Sequence, residues 1–465
     1  MIFFPSDDAP FGFLEPFHAY AIANTRQITW SNCYKLVVIP LLPLYFQALL
    51  LRKEGTRRER IALAVLGLGL LWRAAFKYRF LQPWFNALNN GLGIGYMTMS
   101  FRYVEFALIN GKMLDPYWED RGRHWLVSAL DTSVNARWIG LGTVDLDTWR
   151  VVKDSGDHSG EATKKDGQMP DGGVETHGKT VPKGRTYPPW VSKPPAKLSR
   201  YASVWRHFKI AFRGYVVSDV LLALLREFGS DTIGSNRPVP NALSRFSHEN
   251  IFIVFPKLFG GFRAPWWTVE LVSVISVAVC VWLGLSISYH ALAAVAIGSG
   301  LYETEAWEAD LFDNPLNSDS LLDFWGRRWH QFFRHQFTLA SSLLLRTLNL
   351  PVTSPSILAL SFFFSGAMHA LGQYLMDPVP ALLPIFMLFP LSGLGCALEV
   401  MFKRQTGRKV RGLWGRVWAW AWMLTTGRWA AIAWFESGVG GSYLTPALMG
   451  EIMKSWLLEN VIKKL

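Results

Sequence analysis

The stretch from Asn314 to Met376 decides the fold of this chain. It begins NPLNSDSLLDFWGRRWHQFFRHQF and, after a short gap, ends SILALSFFFSGAMHALGQYLM. The first part is crowded with charged and aromatic residues, whereas the second is an apolar segment of roughly the length that crosses a bilayer. His369 lies well inside this apolar segment. An ionisable side chain at such a position faces the protein interior or a cavity and is often functional.

Polar side chains recur at every fourth residue of the helix predicted from Ser356 to Met376. They are Ser361, Ser365, His369 and Gln373. Spacing of i, i+4 places them on one face of a helix, and the apolar remainder of the helix directs that face away from lipid. Two interpretations remain open at this point: a structural histidine that ties two helices together by a hydrogen bond, or a group that takes part in a reaction.

The charged segment before this helix is predicted to be a second, amphipathic helix. Ser320 and Asp323 form an S-x-x-D pattern, which is typical of a helix start. On a continuous helix one face carries Asp323, Arg327, His330 and Arg334, and the opposite face carries Trp325, Trp329, Phe332 and Phe333. Such a helix can lie at the membrane boundary as an anchor and nothing more. Two histidines on neighbouring elements are also a credible reaction centre.

Three motifs carry a resemblance to a known family. The run WEADLFDNPLNSDSLLDFWGRRWHQFFR, Trp307 to Arg334, resembles the signature of the wax-synthase-like branch of the membrane-bound O-acyltransferases (MBOAT), in particular fungal acyltransferases of terpenoid and meroterpenoid pathways. SGAMHALG, Ser365 to Gly372, is similar to the segment that carries the catalytic histidine of that superfamily. ARWIGLGT, Ala136 to Thr143, faintly resembles its Arg-Gly-Ile-Gly segment, with Trp138 where glycine is usual.

The resemblance implies transfer of an acyl group from acyl-CoA to an alcohol. His369 falls on the catalytic histidine, and a neutral imidazole in apolar surroundings suits a general base. His330 takes the position of the partner residue, which is asparagine or aspartate in many relatives. No G-x-S-x-G elbow is present and no cysteine matches either histidine by local spacing, so direct transfer without an acyl-enzyme is expected.

The remaining predicted site residues surround these two histidines in the sequence. Arg327, Arg328 and Arg334 are candidates for the phosphates of coenzyme A, because guanidinium groups bind phosphate in a bidentate manner. Contact with lipid headgroups is the alternative for all three. Trp325 and Trp329 are predicted either to line the acyl or alcohol pocket or to anchor in the interface. The predictions for substrate binding are completed by Asp323, Ser365 and Gln373.

Among acyl donors and acceptors, the resemblance favours acetyl-CoA as co-substrate and a lipophilic polycyclic alcohol. A long-chain acyl donor with a fatty or sterol alcohol, giving wax or steryl esters, is the second interpretation. A third belongs to another class, a membrane transporter or lipid-binding scaffold, because an intramembrane histidine also suits a proton relay. The absence of an evident internal repeat in the sequence argues against transport. The family also implies the endoplasmic reticulum membrane, and acyl-CoA as a co-substrate rather than a tightly bound cofactor. No Cys/His cluster with metal-ligand spacing is present, so no metal site is predicted.

Composition places the chain in a lipid bilayer. Of 465 residues, 50% are hydrophobic and 18% charged, against about 25% charged in soluble proteins. We predict an all-α polytopic membrane protein with about seven to nine spans. The net charge of +12 is concentrated in short loops such as Arg52 to Arg60 and Lys403 to Arg411. This pattern is typical of cytoplasmic loops that bind anionic headgroups rather than nucleic acid.

One change in composition divides the chain without creating independent domains. Residues 1–144 are predicted to hold an N-terminal leader and membrane helices, and residues 199–465 the acyltransferase core. Between them, residues 145–198 are rich in Gly, Pro, Lys, Asp and Thr. Because such a segment buries little apolar surface, we predict a disordered polar loop there. The sequence leaves the oligomeric state open.

Overall fold

The structure is a computed structural model that describes residues 15–152, 198–228, 233–239, 251–254, 262–443 and 447–460. Helices dominate these residues, as the sequence predicts. They are α1 (Glu15–Ala23), α2 (Tyr34–Leu50), α3 (Arg57–Lys77), α4 (Asn86–Leu108), α5 (Pro116–Asp120), α6 (Trp125–Val134), α7 (Arg200–Arg226), α8 (Trp266–Gly298), α9 (Arg334–Thr347), α10 (Ser354–Gln373), α11 (Leu382–Thr406), α12 (Gly412–Glu436) and α13 (Leu448–Asn460).

Three short strand pairs accompany the helices. The first, β1 (Arg26–Gln27) with β2 (Tyr78–Arg79), is parallel, and the other two are antiparallel. They are β3 (Thr143–Asp145) with β4 (Arg150–Val152), and β5 (Ile251–Val254) with β6 (Phe262–Pro265). The β3–β4 hairpin occupies the start of the predicted polar loop, so regular structure continues through Val152. The prediction of disorder for residues 153–197 lies outside the described residues.

The helix that carries His369 lies at the centre of the packing. This helix, α10, packs against α4, α9 and α11, while α8 packs against α7 and α12. A capping box fixes its start, because the Thr353 side chain accepts from the Ser356 backbone and the Ser356 side chain accepts from the Thr353 backbone. The helix therefore begins two residues before the predicted Ser356, and it ends at Gln373 rather than Met376.

Three of the described helices are long and apolar enough to cross a membrane: Glu270–Gly298 within α8, Ser354–Gln373 and Leu382–Thr406. The predicted span count of about seven to nine stays a prediction. Residues 266–298 form a single helix of 33 residues.

The predicted continuous helix from Ser320 to Arg334 is wrong. A helical turn covers only Leu321–Asp323, a π-helical turn follows at Phe324–Arg328, and Trp329 is extended. The regular backbone hydrogen bonds of a helix are replaced here by hydrogen bonds that involve side chains and the backbone of a neighbouring loop. Gln331 donates to the carbonyl oxygens of Trp325 and Trp329, at 3.1 and 2.6 Å. Turns of π-helix occur frequently at functional sites.

Candidate active site

His369 is oriented by a hydrogen bond within its own helix. Its Nδ1 lies 2.7 Å from the carbonyl oxygen of Ser365, so Nδ1 carries a proton and donates it. In the neutral imidazole this leaves the lone pair on Nε2, for which no hydrogen-bond partner is found in the described part of the chain. The ring stacks on Phe389 of α11, with centroids 4.2 Å apart. His369 is thus held between aromatic rings with Nε2 available as a base.

His330 lies on the other side of a shared phenylalanine. Its ring centroid is 5.4 Å from that of Phe333, and the centroid of Phe333 is 6.4 Å from that of His369. The structure therefore brings the two predicted histidines together around Phe333. Burial, and to a lesser extent the nearby His369, lower the pKa of His330 from its ordinary 6.5 to about 3. His330 is accordingly neutral, and its buried Nδ1 has no hydrogen-bond partner among the described residues.

The two predicted tryptophans form part of the aromatic wall around the histidines. Trp325 contacts Phe389, the ring on which His369 stacks, at a centroid distance of 6.0 Å. Its indole Nε1 is buried and has no acceptor within the described ranges. Trp329 stacks on Phe324 at 5.1 Å. Trp325 therefore brings a buried hydrogen-bond donor to the ring on which His369 stacks, whereas Trp329 contacts His330 at a centroid distance of 5.7 Å.

The predicted arginines chiefly hold the turn together. Asp323 accepts from Arg328 Nε at 2.5 Å and from Arg327 at 3.0 Å. Arg334 donates to the carbonyl of Gly326 at 2.6 Å. The side chain of Arg328 is only 15% exposed, against 51% for Arg327, and Arg334 is also exposed. Binding of coenzyme A phosphates stays a prediction, and Arg327 and Arg334 are better placed for it than Arg328.

The polar side chains on one face of α10 include some with a structural contact and others without an assigned role. Ser361 lies 3.3 Å from Ser341 of α9, which ties the two helices together. Ser365 contributes its carbonyl oxygen to His369. Gln373 is 2% exposed, and its Oε1 has no hydrogen-bond partner in the part of the chain that is described. Roles of Ser365, Gln373 and Asp323 toward a substrate stay predictions.

Sequence reasoning missed Glu399, which positions the start of the site segment. This buried residue of α11 accepts from the backbone N–H groups of Leu321 and Leu322, at 2.7 and 3.0 Å. Trp418 of α12 donates to the same carboxylate at 3.0 Å. Glutamate in an apolar stretch was the available signal, because a buried carboxylate needs partners of this kind.

His335 was also missed, although it lies inside the quoted stretch. Its Nε2 is 2.5 Å from Oε1 of Glu105 on α4, and its ring stacks on Trp138 at a centroid distance of 4.0 Å. Trp138 has φ +60°, in the left-handed region that favours glycine. This backbone conformation agrees with the glycine that the resemblance leads us to expect here, and the stack shows that the upstream segment reaches the start of α9.

Arginine partners explain the acidic stretch before the site. Glu305 pairs with Arg121 at 2.5 Å and Asp310 with Arg206 at 2.5 Å. Arg137 of the upstream segment donates to the carbonyl oxygen of Ala309 at 2.7 Å. Within the described ranges, no group of three or more His, Cys, Asp or Glu side chains is arranged to hold a metal ion.

Comparison with known proteins shows that the segment holding this site matches a known family. Residues 307–394, which include His330 and His369, match the membrane bound O-acyl transferase family. The chain is similar to acetyltransferase atnC of Arthrinium sp, with 31% identity over 162 residues, 31% of this chain and 37% of that protein. It is also similar to acetyltransferase spyB of Aspergillus fumigatus, with 35% identity over 98 residues, 20% of this chain and 16% of that protein.

A plant protein extends the comparison to another acyl donor class. The probable long-chain-alcohol O-fatty-acyltransferase 1 of Arabidopsis thaliana is 33% identical over 107 residues, 20% of this chain and 29% of that protein. Each match covers less than two fifths of the relative's length. The expected resemblance to the membrane-bound O-acyltransferases is thereby confirmed for the segment that holds the site. Together with the three apolar helices, it indicates an integral membrane protein.

Proposed function

We propose that the chain is an acyl-CoA-dependent O-acyltransferase that transfers acetyl from acetyl-CoA to a hydroxyl of a lipophilic terpenoid or meroterpenoid alcohol. The observation that carries the proposal is the geometry of His369, whose Nδ1 is committed to Ser365 and whose Nε2 remains a base. Two similar proteins are named acetyltransferases, which favours an acetyl donor. The endoplasmic reticulum membrane is the proposed location.

In the proposed mechanism His369 moves one proton. Its Nε2 takes the proton of the alcohol while the alcohol oxygen attacks the thioester carbonyl carbon and forms the new C–O bond. The C–S bond then breaks, and the departing thiolate of coenzyme A receives the proton back from the imidazolium. The Ser365 carbonyl stabilises the imidazolium because it accepts from Nδ1–H throughout. No covalent acyl-enzyme is needed.

Donors beside the base complete the proposal. Trp325 Nε1–H, buried and without an acceptor among the described residues, would donate to the carbonyl oxygen as negative charge develops on it. Neutral His330 would orient the alcohol. Arg327 and Arg334, which are exposed, would contact the phosphates of coenzyme A.

The test compares membranes that carry wild type, His369→Ala or His369→Gln, supplied with labelled acetyl-CoA and a panel of terpenoid alcohols. Loss of a general base lowers the rate by about a hundredfold or more, so both variants should lose labelled ester at equal protein level. The matched control is His124→Gln, because His124 is exposed. Unchanged ester formation in both His369 variants would overturn the assignment of the base.

A second candidate function is synthesis of long-chain wax or steryl esters, which the name of the similar Arabidopsis thaliana protein favours. The same membranes, given long-chain acyl-CoA and fatty or sterol alcohols, separate the two donors. His369-dependent formation of ester, or release of coenzyme A, would support an acyltransferase with either donor. Absence of both with both donors would favour a transporter or scaffold.

A further inference from the structure

A cavity of about 360 Å³ lies beside α3, α4 and α9, apart from the two site histidines. Its walls are mostly apolar and include Trp72, Phe101, Leu339 and Leu343. Two buried polar side chains, Glu105 and Gln336, also line it. Neither His330 nor His369 is among its lining residues.

Each of the two polar side chains has one oxygen without a hydrogen bond in the described part of the chain. Glu105 is 3% exposed and Gln336 is 2% exposed. His335 occupies Oε1 of Glu105, which leaves Oε2. Gln336 uses its Nε2 to donate to the Thr98 carbonyl at 3.3 Å, which leaves Oε1. A buried oxygen without a donor costs about 1–3 kcal/mol, so this apolar cavity is suited to a ligand that brings a donor.

We propose that the cavity binds an apolar alcohol, whose hydroxyl donates to Oε1 of Gln336. Glu105 and Arg102 already face each other at 3.8 Å, so a fatty acid or phosphate headgroup would enter this apolar cavity without a free counter-charge, which is costly. A cationic amine is disfavoured as well, since Arg102 already places a guanidinium nitrogen 3.8 Å from Glu105 Oε2. A neutral donor on an apolar body therefore fits both the walls and the charges.

The position of the cavity relates it to the site without depending on catalysis. Gln336 follows Phe333 by three residues, and Phe333 contacts both histidines. Phe333 immediately precedes α9 and Gln336 lies in its first turn, so the cavity and the histidines lie at the same end of α9. Binding of the alcohol does not rest on the proposed acyl transfer, so its test measures binding alone.

The experiment uses the purified full chain in lipid nanodiscs and a dodecanol that carries a photoreactive diazirine in its alkyl chain. After irradiation, mass spectrometry should map adducts to cavity residues such as Trp72, Phe101 and Leu339. Unlabelled dodecanol should compete better than dodecyl methyl ether by roughly threefold to tenfold, the effect of one hydrogen bond. Adducts confined to other parts of the chain would overturn the proposal.

Variants separate the hydrogen bond from the apolar walls. Gln336→Leu should bring dodecanol and its methyl ether close to equal potency, and Ala340→Phe, which fills the cavity, should remove the adducts. Ser341→Ala is the control, because Ser341 is buried on the same helix and does not line the cavity. Equal competition by alcohol and ether in the wild type would show a site for alkyl chains alone and overturn the proposal, whether or not the variants fold.

Discussion

At the scale of single residues, the hydrogen bond of His369 bears on the two interpretations that the sequence leaves open. On the first interpretation, a structural histidine would tie two helices together by a hydrogen bond. The hydrogen bond of Nδ1 instead goes to Ser365 on the same helix, and aromatic rings of other elements surround the imidazole. This arrangement favours a base held in one orientation, because nothing in the described part of the chain engages Nε2.

His330 should make stability depend on pH. Its pKa is about 3 in the folded chain and 6.5 ordinarily, because it is buried. Between these two pH values the His330 side chain is protonated in the unfolded chain but not in the folded chain. The free energy of unfolding therefore falls as the pH drops from about 6.5 toward 3, by up to about 1.4 kcal/mol per pH unit. His330→Asn should remove the part of this pH dependence that arises from His330. Unfolding midpoints in detergent at about pH 7.5 and pH 5 measure it.

The control for that measurement is Thr425→Ala, an exposed substitution that removes no ionisable side chain and should leave the slope unchanged. An identical slope in wild type and His330→Asn would contradict the buried, neutral state of His330.

At the scale of elements, local patterns predicted α10 well and the preceding segment poorly. The apolar run and the histidine stripe located α10 within two or three residues of its ends. The amphipathic pattern from Asp323 to Arg334 instead suggested one helix where the structure has a π turn and an extended residue. The pattern failed because Gln331 donates to the carbonyl oxygens of Trp325 and Trp329, which a continuous helix would pair with its own backbone N–H groups.

Glu399 should therefore matter to the element that it caps. Glu399→Ala leaves the N–H groups of Leu321 and Leu322 without their acceptor, at about 1–3 kcal/mol each if they stay buried. Glu399→Gln keeps one acceptor oxygen and should lose less. We expect lower thermal stability and lower acyl transfer in the order wild type, Gln, Ala. Glu119→Ala is the control, because Glu119 forms an exposed pair with Arg52; equal effects of the two alanines would argue against a positioning role.

Close approach of α4 to α10 depends on a glycine. A Cβ on Gly93 would lie 2.3 Å from the carbonyl oxygen of Gly372, whereas a Cβ on Gly95 would meet nothing within 4 Å. Gly93→Ala should force the helices apart and lower both the unfolding midpoint and acyl transfer. Gly95→Ala should keep activity and gain up to about 1 kcal/mol of helix propensity. The prediction fails if the two substitutions behave alike.

At the scale of the whole molecule, contacts join the parts on either side of residues 153–197. Glu105 pairs with His335, Arg137 donates to Ala309, and Gly93 packs on Gly372. Residues 1–152 and 198–465, expressed together as two polypeptides, should therefore co-purify and form ester. Pull-down through a tag on one fragment, followed by the labelled acetyl-CoA assay, measures this.

A first fragment that carries Gly93→Ala should weaken the association, while one that carries Gly95→Ala should not. Fragments that each reach the membrane but never co-purify would show that residues 153–197 are needed for assembly.

The sequence by itself determined the helical class, the apolar helix around His369, the pairing of that histidine with His330 and the family to which the site segment is similar. These features follow from the local periodicity of apolar residues and from short motifs, both of which depend only on residues close together in the sequence. Tertiary structure alone decided the π turn at Phe324–Arg328, the support from Glu399 and the cavity beside Gln336. Their partners are distant in sequence, as His335 and Glu105 are at 230 residues apart, and only packing brings such groups together.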